Sequence, residues 1–205
     1  MSSLAPAKPR RRLSRESRRL QLIEVAWGLA REEGADALTL GRLAEQAGVA
    51  KPVVYDHFGT RSGLLAALFE DFDLRQTAAM DAALAASEPT LVDRARVIAE
   101  AYVGCALDQG RELAGVAAAL EGSPELESVK RRCEAAFLEK CRAALDPFAP
   151  GGVSTPALVG ALGAADALSR AAAAGEIDAD PARAELLAVI LAAVERSRGP
   201  LRQPA

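Results

Sequence analysis

Residues 39–61 read Thr-Leu-Gly-Arg-Leu-Ala-Glu-Gln-Ala-Gly-Val-Ala-Lys-Pro-Val-Val-Tyr-Asp-His-Phe-Gly-Thr-Arg, a pattern that predicts two short helices joined by a tight turn. Thr39 can cap the first helix. The apolar face of that helix follows i, i+3, i+4, i+7 spacing and consists of Leu40, Leu43, Ala44 and Ala47. Gly48 ends the helix because glycine adopts positive φ without penalty. The second helix starts near Lys51, since Pro52 is tolerated in a first helical turn.

The second helix has an inward and an outward side. Val54 and Phe58, four residues apart, face inward. The outward side mixes hydrogen-bonding and apolar groups that suit the major groove of DNA, namely Lys51, Val53, Tyr55, Asp56 and His57. The stretch is therefore predicted to be a helix-turn-helix.

The same residues carry a family resemblance. The pattern Leu-Thr-Leu-x-x-Leu-Ala-x-x-Ala-Gly-Val-x-Lys-x-x-Val-Tyr-x-His-Phe, followed by Arg-Ser-x-Leu-Leu, resembles the DNA-binding domain of the TetR family of bacterial transcriptional regulators. The match runs from about Leu20 to about Leu65, roughly a quarter of the chain. The remainder is similar only in its helical character and its length.

The resemblance implies DNA contacts for individual residues. Four positions would face base edges or the adjacent backbone: Lys51, Pro52, Val53 and His57. Tyr55 would give its hydroxyl to one phosphate, and Arg61 would meet another at the start of the next helix. The only histidine in the chain is His57, which the Tyr-x-His-Phe context favours as a phosphate contact over a buried structural residue.

The amino end of the first helix offers further contacts. Thr39, Leu40 and Gly41 lie where free N–H groups can hold a phosphate oxygen. Gly41 has no side chain with which to read a base. Lys51 is then the best candidate for guanine recognition, and Val53 could contact a thymine methyl group.

Composition favours an all-α protein. Half of the 205 residues are hydrophobic, alanine supplies much of that fraction, and aromatic residues make up only 4%. No apolar run reaches the roughly 18 residues of a membrane span, and no apolar segment follows the basic N-terminus, so a cytoplasmic protein is expected. Cys105, Cys133 and Cys141 form no metal-ligand pattern and are interpreted as reduced packing residues, with a redox sensor as the alternative.

Residues 1–14 are predicted to be a disordered basic arm. The first 20 residues hold seven lysines and arginines against Glu16 alone, although the whole chain has a formal net charge of -3. The arm includes Arg10, Arg11 and Arg12. It is either a solvated tail or a segment that follows phosphates or enters the minor groove, and its position beside the helix-turn-helix favours the second interpretation.

The predicted helices divide the chain into a DNA-binding domain at 15–60 and a helical domain at 61–205. The first helix runs from Ser17 to Glu33, with Leu20 in its apolar stripe. Trp27 packs either between the DNA-binding domain and the body or in an ordinary core. The later helices are expected at 61–86, 91–107, 112–121, 124–145, 155–174 and 180–196, with a linker at 146–152.

Two apolar helices within residues 156–196 are predicted to form a homodimer interface. They are rich in alanine, leucine and valine, and Gly160, Gly163 and Ala167 would let two backbones approach closely. The alternative is that these helices only cover the core of their own domain.

The resemblance also implies a helical-bundle domain that binds a small-molecule effector, with a mild preference for an apolar or aromatic ligand. The candidate lining residues, each of which could equally be core or surface, are Phe72, Tyr102, Cys105, Asp108, Leu120, Phe137, Cys141 and Asp166.

The most probable function from sequence is a one-component repressor, released by its effector from a palindromic operator in double-stranded DNA. No cofactor is implied, and catalysis is improbable because the chain has one histidine and no glycine-rich phosphate loop after a strand. One rival is an architectural or partner-recruiting DNA-binding protein without an effector pocket. The other is a ligand-binding or enzymatic helical protein whose helix-turn-helix is incidental.

Overall fold

The computed structural model describes residues 13–108, 115–116, 118–119 and 122–198, and within these ranges all regular structure is helical. The helices are α1 (Arg15–Glu33), α2 (Leu40–Ala47), α3 (Lys51–Phe58), α4 (Arg61–Ala86), α5 (Leu91–Asp108), α6 (Pro124–Leu145), α7 (Thr155–Ala173) and α8 (Ala179–Ser197). Short 3-10 helices occupy Ala35–Ala37 and Asp146–Phe148. The all-α prediction is confirmed for the described residues. No helix in these ranges is both long and apolar enough to cross a membrane.

Helix α1 begins earlier than the sequence predicted. Ser14 caps it, since its side-chain oxygen accepts a hydrogen bond from the backbone N–H of Ser17. Leu20 was placed in the buried stripe, but its side chain is 53% exposed, so that prediction is wrong. The buried stripe instead comprises Leu22, Ile23, Ala26, Trp27, Leu29 and Ala30. Leu20 lies at the edge of this stripe, since successive residues of an α-helix are about 100° apart.

The two short helices have the predicted ends. Thr39 accepts a hydrogen bond from the N–H of Arg42, and Gly48 ends α2 in the left-handed region at φ 62° and ψ 38°. Leu43, Val54 and Phe58 are buried, as their spacing predicted. The helix-turn-helix is therefore formed by these residues.

Two separate hydrophobic cores organise the chain. The head core joins α1, α2, α3 and the first turns of α4 up to Leu68, and it also includes Val116. The body core joins the end of α4 at Met80 with α5, α6, α7 and α8. The head core thus extends past residue 60, where the sequence analysis placed the domain boundary.

The predicted linker at 146–152 is an ordered connection. An oxygen of Asp146 accepts a hydrogen bond of 2.8 Å from the N–H of Val153, and the carbonyl of Phe148 accepts one of 2.9 Å from Arg198. Ala149 and Val153 are buried in the body core. Proline and glycine therefore mark a tight connection here rather than a free spacer.

The helix predicted at about 112–121 lies mostly outside the described residues. Its described positions, 115–116 and 118–119, are helical. Val116 is buried against the head core, and Ala119 packs beside it. This segment therefore connects body and head at a point other than α4.

Candidate nucleic-acid interface

The exposed side of α3 is centred on Asp56. Successive residues of an α-helix are about 100° apart, and the buried pair Val54 and Phe58 defines the inward direction. Asp56 then points almost directly away from the head core, flanked by Pro52 and Val53. Asp56, Pro52, Lys51 and Tyr55 are exposed, whereas Val53 and His57 are half-buried. Lys51 and Tyr55 thus lie toward one edge of this surface, and His57 lies toward the other.

Lys51 lies beside the amino end of α2. A Cβ atom built on Gly41 would come within 3.9 Å of Lys51 Cε and 4.0 Å of Lys51 Nζ. The absence of a side chain at Gly41 therefore leaves the ammonium group uncovered from this direction. Leu40 is buried, so it can offer DNA only its backbone, while the hydroxyl of the exposed Thr39 already accepts from Arg42.

The start of α1 lies against α3. A guanidinium nitrogen of Arg15 is 3.5 Å from a carboxylate oxygen of Asp56 and donates to the Asp56 carbonyl at 3.3 Å. The predicted arm and its Arg10, Arg11 and Arg12 lie outside the described residues. Arg15 belongs to the first turn of α1, so this contact joins the start of α1 to the exposed side of α3.

His57 lies in a cationic environment. Burial first, and then the positive charge of Arg15, lower the pKa of its imidazole from the ordinary 6.5, while the carboxylate of Asp56 raises it. Arg19 and Arg18 lower the pKa further. The ring is therefore neutral at pH 7, and an anion such as phosphate beside it would favour protonation.

Arg61 has a structural role that the sequence did not predict. Its guanidinium donates to the carbonyl of Leu38 at 2.8 Å and to the carbonyl of Ala35 at 2.9 Å. These hydrogen bonds connect the first turn of α4 to the turn between α1 and α2. A phosphate contact from the remaining N–H groups of Arg61 stays a prediction.

Helices α1 and α4 are joined by a polar network on the side chain of Trp27. The indole N–H donates to a carboxylate oxygen of Asp71 at 2.7 Å, and Arg75 lies 2.9 Å from the same oxygen. Arg75 also pairs with Glu24 of α1. Trp27 is 8% exposed and belongs to the head core, so of its two interpretations the ordinary core position is the one observed.

The body contains a small apolar cavity. Its volume is about 20 Å³, and its walls come from α5, α6, α7 and α8. Of the predicted ligand residues, Tyr102, Phe137 and Cys141 line it. The rings of Tyr102 and Phe137 meet edge to face at 5.1 Å. Burial, followed by the charge of Asp166, raises the pKa of Tyr102 to about 12.

The other predicted ligand residues do not line this cavity. Phe72 packs against the head core, and the exposed Asp166 pairs with Arg170 on the surface of α7. Cys105 is half-buried outside the cavity wall. Leu120 and the side chain of Asp108 lie outside the described part of the chain. Sequence spacing could not distinguish these positions from cavity-lining positions, because each also fits an ordinary amphipathic helix.

Sequence patterns assigned no specific contact to two residues at the exposed side of α3. Asp56 was noted on the outward side of α3 but was given no role, although its position opposite Val54 and Phe58 follows from helical geometry alone. Arg15 gave no signal, since its contact with Asp56 spans 41 positions of sequence. Within the described residues, no cluster of three or more His, Cys, Asp or Glu side chains could hold a metal ion.

Two short helices crossing at a glycine turn, with one side of the second helix exposed beside a basic chain segment, define a helix-turn-helix DNA-binding protein. The sequence model of the bacterial regulatory proteins of the tetR family matches residues 22–68, which include α2, α3 and the part of α4 that belongs to the head core. Residues 22–68 therefore form a DNA-binding domain of the tetR-family type. Regulators of this family are generally non-enzymatic.

Solved structures share the fold over nearly the whole chain. A TetR-family transcriptional regulator from Streptomyces coelicolor is 18% identical with a TM-score of 0.62, covering 89% of this chain and 97% of its own. A protein of unknown function from Rhodococcus sp. RHA1 is 26% identical with a TM-score of 0.61, covering 96% and 100%. The SmeT–triclosan complex is 18% identical with a TM-score of 0.63, covering 92% and 99%. The helical body is therefore of the same type as the bodies of these proteins.

Proposed function

We propose that this regulator is a cytoplasmic homodimeric repressor that binds a palindromic operator through α3 and is released by a small apolar or aromatic molecule. The observation that carries the proposal is the contact between Arg15 and Asp56, which joins the basic start of α1 to the exposed side of α3. Phosphate-binding and base-reading groups are then on one surface, as DNA recognition requires. Two copies would place their α3 helices in major grooves about one or two helical turns apart.

The dimer is supported by the outer side of α7. Val159, Gly160, Gly163 and Ala167 are exposed in the single chain, whereas Leu158, Ala161 and Ala165 of the same helix are buried in the body core. The helix therefore covers its own core on one side and leaves a row of small and apolar side chains on the other. Paired copies would bury this row within the predicted interface at 156–196.

DNA binding is tested with duplex DNA from the region beside the protein's own gene. The double variant Lys51→Ala with Tyr55→Ala removes an ammonium group and a hydroxyl from the exposed side of α3. We expect its operator affinity to fall by at least about tenfold, because individual good base contacts contribute about 1–3 kcal/mol. The matched control is Lys130→Ala, which removes one exposed positive charge from α6. Equal affinity for the wild-type protein and the double variant at physiological salt would exclude α3 as the recognition helix.

Effector release is tested with triclosan as a first probe, since a structurally similar protein is known as a complex with that molecule. A cavity of about 20 Å³ holds no more than about one water molecule, so a ligand has to displace side chains. We expect an effector to raise the melting temperature and to weaken operator binding by roughly 5- to 150-fold. Ala165→Leu, at the cavity wall, should retain DNA binding and lose the response.

The small cavity also favours a second candidate function. A body core that stays closed would suit an architectural or partner-recruiting protein that binds DNA without an effector. This candidate predicts operator binding that no apolar or aromatic probe changes. A probe that releases DNA from the wild-type protein but not from Ala165→Leu would exclude it.

A further inference from the structure

Asp56 lies on the side of α3 opposite the buried Val54 and Phe58, and it is acidic on a surface proposed to bind a polyanion. We propose that Asp56 is a specificity-determining residue that accepts a hydrogen bond from the amino group of a cytosine, and that Arg15 positions it. This inference rests on the proposed insertion of α3 into the major groove.

The chemistry of a carboxylate limits which bases it can face. An ionised carboxylate only accepts hydrogen bonds. Cytosine presents an N4 amino donor in the major groove, whereas guanine presents two acceptors and thymine presents an O4 acceptor beside a methyl group. Adenine has an amino donor, but its neighbouring N7 acceptor repels a second carboxylate oxygen. Asp56 therefore favours cytosine and disfavours guanine and thymine at the position it faces.

Phosphate repulsion is the cost of placing an acid here, and Arg15 offsets it. The Arg15 guanidinium lies 3.5 Å from the carboxylate and donates to the backbone carbonyl of the same residue. The two side chains are 75% and 69% exposed, so the pair contributes little to folding stability. The effect of Arg15 is local, because it places a positive charge beside Asp56 on one side of α3.

Two other cations near α3 have partners elsewhere. Arg18 donates to Gln21 at 2.6 Å, and Arg19 lies 3.8 Å from Glu70 of α4. Lys51 lies beside Gly41, one helical turn before Asp56. Among the ion pairs of the described residues, the one that Asp56 forms is with Arg15. This arrangement assigns the positioning role to Arg15 rather than to a diffuse basic surface.

The test is selection of bound duplexes from a randomised pool by the wild-type protein, Asp56→Ala, Asp56→Asn and Arg15→Ala. We expect the wild-type half-site to prefer cytosine at one position by about 5- to 30-fold, and Asp56→Ala to lose that preference alone. Asp56→Asn should shift the preference to adenine, because an amide pairs with adenine N6 and N7. Arg15→Ala should reduce the cytosine preference, because the carboxylate of Asp56 is no longer held in place, and should also bind all sequences more weakly, with a salt slope smaller by about 1.

The outcomes separate this inference from the proposed function. If Asp56→Ala and the wild-type protein select the same half-site at every position, Asp56 does not read a base and the inference is overturned. If Asp56→Ala and Arg15→Ala cause the same uniform loss of affinity, the pair is only structural, and the inference is again overturned. If the wild-type protein enriches no sequence, the proposed operator binding fails together with it.

Discussion

Gly63 lies where α4 passes the end of α3, and the packing at this point requires the absence of a side chain. A Cβ atom at this position would lie 2.2 Å from the carbonyl oxygen of Phe58, far inside van der Waals contact. Gly63→Ala is therefore expected to lower the free energy of unfolding by roughly 1–3 kcal/mol, a typical cost of overpacking. Urea denaturation followed by circular dichroism measures this change.

A second helical glycine serves as the control for this substitution. A Cβ atom built on Gly28 of α1 would meet nothing within 4 Å. Gly28→Ala is expected to raise the free energy of unfolding by about 0.5–1 kcal/mol, because alanine loses less backbone entropy in a helix. Equal effects of the two substitutions would show that the chain at Gly63 relaxes freely.

The proposed phosphate contact of His57 predicts that operator affinity depends on pH. Burial and then Arg15 lower the pKa of the ring in the free protein below 6.5, so His57 is neutral at pH 7. A bound phosphate raises that pKa, so DNA binding takes up a proton and operator affinity increases as the pH falls from 7.5 to about 6. The operator affinity of the wild-type protein should rise as the pH is lowered across this range. The part of this increase that comes from His57 should be absent in His57→Gln.

The free protein responds to pH in the opposite direction. Its folded state binds the His57 proton more weakly than the unfolded chain does, because the folded-state pKa is lowered. Folding stability is therefore retained above pH 6.5 and decreases below it. A wild-type operator affinity that does not change between pH 7.5 and 6 would contradict the phosphate contact of His57.

Individual side chains were predictable where helical geometry determined their environment. Leu43, Val54 and Phe58 are buried because their spacing leaves no other face for them. Arg61 was not predictable in the same way. Its bonds to the carbonyls of residues 35 and 38 depend on how α4 folds back against the preceding turn.

The contact between α1 and α4 depends on the pairing of Trp27 with Asp71. A double-mutant cycle with Trp27→Phe and Asp71→Ala separates this bond from the other contacts of each residue. We expect a coupling of about 0.5–1.5 kcal/mol, as for a typical net hydrogen bond. Thermal unfolding of the four proteins gives the value, and additive effects of the two substitutions would show that the hydrogen bond contributes nothing.

Helix boundaries followed from local signals only in part. Thr39, Gly48 and Thr60 determine the ends of their helices through short-range bonds, and they were read correctly from sequence. The start of α1 at Ser14 and the ordered connection at 146–152 were not. The connection is held by hydrogen bonds from Val153 and Arg198. Arg198 follows α7 and α8 in the sequence, so local signals could not indicate its contact.

The proposed dimer depends on the small residues on the outer side of α7. Gly163→Glu places a charge in the middle of this row, while glutamate forms helices better than glycine and so preserves the fold. We expect a monomer by sedimentation and the loss of cooperative binding to a palindrome. Ala83→Glu, at an exposed position of α4, is the matched control and should remain dimeric. A dimeric Gly163→Glu variant would contradict this interface.

The helical class followed from composition, but the shape of the body interior did not. Alanine-rich helices pack closely, and the sequence contains enough of them to predict a bundle. The volume left between Tyr102, Phe137 and the alanines of α7 is decided by helix placement to within about one ångström. Sequence alone therefore named Tyr102, Phe137 and Cys141 of the cavity wall and gave no indication of the cavity volume.

Helix α4 belongs to both cores: Leu68 lies in the head core, Met80 lies in the body core, and no residue at positions 69–79 is fully buried. Because the cores are separate, we expect the head to unfold before the body once its contacts with α4 and with Val116 are lost. In the proposed dimer, an unfolded head stays attached to its folded body and to the second copy. When that second copy binds the operator, the DNA stays close to the unfolded head and favours its refolding. The free energy of head folding then becomes a part of operator affinity, and substitutions that weaken the head core reduce DNA binding even where they touch no base.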